Sequence, residues 1–159
     1  MNVPIHIAIA FLLTFSSFPA FAKCDTGETV IRLGLPEFDN RHPVKVSALE
    51  LQKQLNKTMN GKACLEVLTD ATQYTGEKGI KALKAGTVQL VVPLLSDLGE
   101  YSRQFQLFQL PFLFSNIEAV EAFQNSKEGI KLKNSMTGSG LLGLSYWNNG
   151  MKQMSANKP

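Results

Sequence analysis

From Glu28 onward the chain alternates short apolar runs with stretches of helical periodicity, and few architectures accept that order. ETVIRLGL is rich in β-branched residues and reads as a strand ending at Gly34. After the loop PEFDNRHP, Val44, Ala48, Leu51, Leu55 and Met59 recur at spacings of four, three, four and four, opposite Lys45, Gln52, Lys53 and Asn56. That pattern is one apolar face of a helix. Pro43 suits its first turn and Asn60-Gly61 its end. KACLEVLT follows as a second strand, and DATQYTGE as a polar loop. A short helix around Lys78 to Ala85 stops at Gly86, and TVQLVVP reads as a third strand buried on both faces. In FQLFQLPFLF, Pro111 argues against a central strand, because it has no N–H for a ladder. Ser115-x-x-Glu118 reads as a capping box that starts a helix with Ile117, Val120 and Phe123 facing inward. Further helical sequence ends near Gly138, and GLLGLSYW reads as a fourth strand. The order implies an α/β fold with a parallel sheet and right-handed crossovers.

This topology locates a working face, because ligands of open parallel sheets bind outside the carboxyl ends of the strands. Four loops leave those ends: PEFDNRHP, DATQYTGE, LLSDLGEY and NNGMK. Three of them offer cationic or donor groups: Arg41 and His42, Ser96 with nearby amides, and Asn148, Asn149 and Lys152. Charge plus directional donors is what a small anion needs in place of its water. Each residue also has a plainer reading. Lys152 is a solvated lysine, His42 leads into the helix, Trp147 fills core beside Leu142 and Leu144, and Glu77 is a first-turn acid favoured by the helix dipole.

The net charge of +3 is spread along the chain without a dense basic run, so nucleic acid is not an expected partner. At the amino end, an apolar run from Ile5 to Phe15 leads to Ala20-Phe21-Ala22, the layout of a secretory signal peptide over residues 1–22 with the mature chain starting at Lys23. An uncleaved anchor is the alternative, weakened by Pro4, Pro19 and the paired serines that interrupt the span. Export would bring Cys24 and Cys64, the two cysteines of the chain, into an oxidising compartment, where a disulfide is favoured over two buried thiols. No metal site is expected, since His42 is the sole histidine after residue 22 and there is no Cys-x-x-Cys pair. Nor does any loop assemble paired carboxylates, a catalytic triad or a glycine-rich phosphate loop. Binding without chemistry, and without a cofactor, is the expectation. A small exported thiol enzyme stands as the alternative from another class.

VIRLGLPEFDNRHP, ALKAGTVQL, LFQLPFLF and above all GLLGLSYWNNGMKQMSANKP together make the chain, from about Val30 to Pro159, resemble the periplasmic solute-binding proteins of tripartite ATP-independent periplasmic (TRAP) transporters. The similarity is to the amino-terminal half of the C4-dicarboxylate-binding branch. That resemblance implies a periplasmic-binding-protein-like flytrap whose first, parallel-sheet lobe spans residues 23–159, with the second lobe missing. It also implies capture of an organic acid of the succinate, malate or fumarate type in the periplasm of a Gram-negative bacterium, for delivery to membrane permease subunits driven by an ion gradient. A sensing module that presents an organic acid to a receptor would use the same loops.

Carried over by position, Lys152 after Asn149-Gly150-Met151 contacts a ligand carboxylate, Glu77 borders the pocket, Ser96 lines it, and Trp147 and Asn149 form its wall. The sequence departs from the family pattern at Gln109, where relatives carry an acid, and at Leu94, where dicarboxylate binders often have a small polar residue. A Lys-Gly-x-x-x-Arg segment that carries the chief carboxylate-binding arginine in relatives is absent.

Overall fold

The computed structural model describes residues 24–151 and residue 157. The expected signal segment 1–22 and Lys152 lie outside the described residues. Strand β1 (Thr29–Leu35) is followed by helix α1 (Pro43–Met59), β2 (Ala63–Thr69), α2 (Glu77–Lys84) and β3 (Leu90–Val91). Two 3-10 helices, Leu95–Glu100 and Arg103–Gln109, lead to α3 (Ile117–Gln124), α4 (Lys127–Asn134) and a last 3-10 turn at Thr137–Ser139.

The sheet is parallel throughout, in the order β2-β1-β3, with β1 in the middle. Alternation along β1 explains its place. Leu33 and Leu35, 2% and 0% exposed, turn to the same side and pack with Val44 and Ala48 of α1 and Leu65 of β2. Burying side chains of this size stabilises a fold by roughly 1.5–3 kcal/mol each. On the alternate positions Arg32 pairs with Glu66 across the strands at 3.6 Å, and Gly34 lies under the ring of Tyr74.

Helix α1 begins and ends where its sequence indicates. His42 is its cap, with Nδ1 accepting the Val44 N–H at 3.3 Å, and Asn60 closes it in the left-handed region at φ 47°. The helix also guards the sheet edge. Asn56 accepts the Leu65 N–H at 2.6 Å and donates to the Leu65 carbonyl at 3.1 Å, so an amide side chain occupies the outer side of β2 where a further strand would pair. A disulfide joins Cys24 to Cys64, with Cα atoms 5.6 Å apart, and ties the segment before β1 to β2.

A second core cluster joins α2 to the carboxyl-terminal helices: Ile80, Leu98, Phe105, Leu132, Met136 and Leu141. Leu141 belongs to this cluster and Trp147 packs on the first, so the segment between them spans both.

Three expectations are corrected. TVQLVVP contributes only Leu90 and Val91 to the ladder, both half-buried, because no strand among the described residues covers the outer side of β3. Gln89 extends the pairing by one step, since its backbone N–H donates to the Arg32 carbonyl and its side chain accepts the Arg32 N–H, each at 2.9 Å. GLLGLSYW is not a fourth strand. It runs along α4, held by Lys133 Nζ donating to the Leu144 carbonyl at 3.0 Å and by the Tyr146 hydroxyl donating to the Gly129 carbonyl at 2.9 Å. Leu142 and Leu144 stay exposed in consequence. The α3 cap is Asn116 rather than Ser115, because the Asn116 side chain reaches the Ala119 N–H at 2.9 Å. Pro111 does exclude a strand, and the segment around it turns sharply, with Phe112 at φ 60° and 87% exposed.

Candidate functional site

The order β2-β1-β3 means that the chain leaves β1 toward one side and later returns past it to the other, which opens a crevice at the carboxyl ends of β1 and β3. A groove of about 590 Å³ lies there, beside the start of α1. One wall is Pro43, Val44 and Ser47; the other is the segment Tyr146 to Gly150.

Local chemistry shapes both walls. Pro43 has no N–H, and the Val44 N–H is taken by His42 Nδ1, so the first two residues of α1 turn no free donor toward a ligand. The Tyr146 hydroxyl is spent on Gly129, and burial pushes this phenol above its ordinary pKa. Asn148 accepts the Gly150 N–H at 2.7 Å, forming the turn that lets Gly150 adopt φ 84°, and its amide donates to Glu121 of α3 at 3.4 Å. Asn149 and Ser47 make no side-chain hydrogen bond among the described residues.

Of the residues that the sequence singles out, Trp147 and Asn149 line the groove. Trp147 is half-buried, packed against the cluster of Leu33, Leu35, Val44, Ala48 and Leu65 while lining the groove; it does not fill core beside Leu142 and Leu144, which are exposed. His42 does not line it; its ring stacks on Phe38 at 4.1 Å and its nitrogen caps α1. Glu77 sits at the start of α2 and bonds Lys81 at 2.6 Å, a contact that raises the lysine's pKa above its ordinary value. Ser96 is half-buried in the 3-10 helix Leu95–Glu100, away from the groove walls. Arg41 is exposed beside Asp39 at 3.7 Å. Ser47 and Tyr146 are groove residues that sequence reasoning missed. Spacing offered one signal for Ser47: it falls three and four residues after Val44 and Pro43, hence on the same side of α1.

Lys45, adjoining this wall, is also committed. It donates to Glu37 and to the Phe38 carbonyl, each at 3.0 Å, and with the Thr69 hydroxyl it holds the Glu37 carboxyl below its ordinary pKa. Both cysteines of the chain are in the one disulfide, so no thiol is left to act as a nucleophile.

A parallel α/β lobe with a groove beside its switch point offers a place for a small ligand. The chain belongs to the bacterial extracellular solute-binding protein family 7, whose pattern matches residues 37–159. Among its relatives, the C4-dicarboxylate-binding periplasmic protein DctP of Vibrio cholerae is 44% identical over 159 residues, which is all of this chain and 48% of that protein. The fold matches a crystal structure of a TRAP periplasmic solute binding protein from Pseudomonas aeruginosa with bound L-malate, at TM-score 0.76 and 37% identity, over 82% of this chain and 45% of that one. A Shewanella oneidensis TRAP periplasmic solute binding protein with bound succinate matches at TM-score 0.72 and 33% identity, over 78% of this chain and 40% of that one. The chain thus spans about half the length, or less, of the proteins it matches. These relatives are solute-binding proteins, not enzymes.

Proposed function

We propose that this chain supplies one gripping lobe of the periplasmic solute-binding component of a TRAP transporter, and that its ligand is a C4-dicarboxylate. The observation that carries the reading is the groove between the start of α1 and Trp147 to Gly150, two residues before Lys152. The ligands named for the malate-bound and succinate-bound relatives support the substrate class. A groove with two walls leaves much of a ligand in water, whereas small-molecule sites bury about 70–90% of their ligand's surface. Capture therefore calls for a second surface closing over the first, with Lys152 as one cationic contact. Residues 1–22 would direct export, and membrane permease subunits would receive the ligand.

Trp147 is the one tryptophan of the chain and lines the groove, which makes its emission a direct reporter. The test titrates two proteins with succinate, malate, fumarate and acetate: the mature chain, and the same chain extended by the part of the Vibrio cholerae relative that it does not cover. A cooperative melting transition would establish that each is folded. Dicarboxylates should perturb the emission and acetate should not, with tighter binding in the extended protein. If the folded extended protein ignores every dicarboxylate, the substrate class is wrong.

A further inference from the structure

We infer that Ser47 is a specificity-determining residue that recognises a hydroxyl on the ligand, favouring 2-hydroxy dicarboxylates over their unsubstituted counterparts. This rests on the groove being the ligand site.

Elimination along the walls leads to it. Tyr146 is committed to Gly129, and Asn148 to Gly150 and Glu121. On the α1 side, Pro43 has no N–H and the Val44 N–H is held by His42. The polar side chain left on that wall is Ser47. A hydroxyl within a helix commonly donates back to the carbonyl four residues earlier. Thr58, at the far end of the same helix, does so, with Oγ1 donating to the Gln54 carbonyl at 2.8 Å. Ser47 makes no such bond among the described residues, and it lines the groove beside Pro43 and Val44.

The two walls consequently differ in chemistry. Trp147 and Asn149 on one wall carry side-chain N–H donors, which suit a carboxylate, a group that only accepts. Ser47 both donates and accepts and can rotate to do either, which matches a C–OH better than a carboxylate. Ser47 is exposed on this lobe alone, but once a second surface closes over the groove, a hydroxyl that bonds a substrate hydroxyl discriminates against the analogue lacking it, because it is then left buried and unpaired.

The experiment measures malate and succinate affinities by isothermal titration calorimetry in the extended protein, for the parent, Ser47→Ala and, as a control on the same helix, Thr58→Ala. Ser47→Ala should weaken malate binding by about 3- to 10-fold, the range of one neutral hydrogen bond, and leave succinate within about twofold. Thr58→Ala should change neither. Ser47 is exposed and alanine is a good helix former, so the variant should melt at or above the parent temperature. Equal losses for both acids, or no loss for either, overturn the inference while leaving the dicarboxylate reading in place. A folded parent blind to both acids removes that reading and this inference with it.

Discussion

The ring of Tyr74 lies against the backbone of Gly34, so that a Cβ placed on Gly34 would fall 2.7 Å from Tyr74 Cδ1. Tyr74 comes from the loop after β2 and is 8% exposed, so it cannot swing into solvent without uncovering the end of β1. Gly34→Ala should destabilise the lobe by about 1–3 kcal/mol, as overpacking of a filled site does. Urea denaturation checks this by a lower midpoint at unchanged slope; an unchanged midpoint would mean that the ring yields freely.

The Tyr146 hydroxyl and the Gly129 carbonyl hold the groove segment to α4 at 2.9 Å. Tyr146→Phe removes one neutral hydrogen bond, a loss of about 1 kcal/mol. Amide exchange should accelerate in residues 141–150 and stay unchanged in β1 and β2, since the contact is local. Exchange that rises uniformly would contradict that assignment.

Cys24 and Cys64 close a loop with a sequence separation of 40. In the loop-closure model such a link stabilises by roughly 4 kcal/mol. Reductant should lower the melting temperature of the parent to that of Cys24→Ser and have no effect on the variant. Cys24 is the residue to replace, because Cys64 is buried and a polar substitution there adds a second cost.

Two carboxylates set the acid limit. Glu37 is held below its ordinary value of 4.5, first by the hydrogen bond from Lys45 and then by that from Thr69. Asp70 is held below 3.8, first by the Thr72 hydroxyl and then by the Thr72 and Gln73 amides. A pKa lowered by folding adds stability above the unfolded value, and that stability is lost as pH falls through the folded value. The melting temperature should therefore be insensitive to these groups at neutral pH and drop below about pH 4.5, and Glu37→Gln and Asp70→Asn should each flatten that drop. A drop of equal steepness in both variants would assign acid unfolding to other groups.

Local order was legible because its causes are local. The bounds of α1 follow from a proline, a five-residue apolar series and an Asn-Gly end, all between Pro43 and Gly61; β1 and β2 follow from β-branched runs. GLLGLSYW misled for the opposite reason. Its composition suits a strand, but a strand exists only where another lies alongside, and here Lys133 of α4 takes the Leu144 carbonyl while the Tyr146 hydroxyl donates to the Gly129 carbonyl of α4. Ser115 lost the α3 cap to Asn116 because a one-residue shift in chain direction decides which side chain reaches the Ala119 amide.

For the site, the sequence by itself determined the parallel α/β plan and the end of the sheet where a groove would open, but Trp147 and Asn149 reach the groove wall on a segment that is not the expected fourth strand. Periodicity and chain order suffice for the plan and the sheet end, since both act through neighbours along the backbone. Tertiary structure decided which polar groups are still available to a ligand. His42 is consumed by Val44, Glu77 by Lys81, and Asn148 by Gly150 and Glu121, while the Ser47 hydroxyl on the groove wall keeps no such partner among the described residues. Hydrogen bonding acts over about 3 Å, so availability depends on distances between groups that the fold alone brings together.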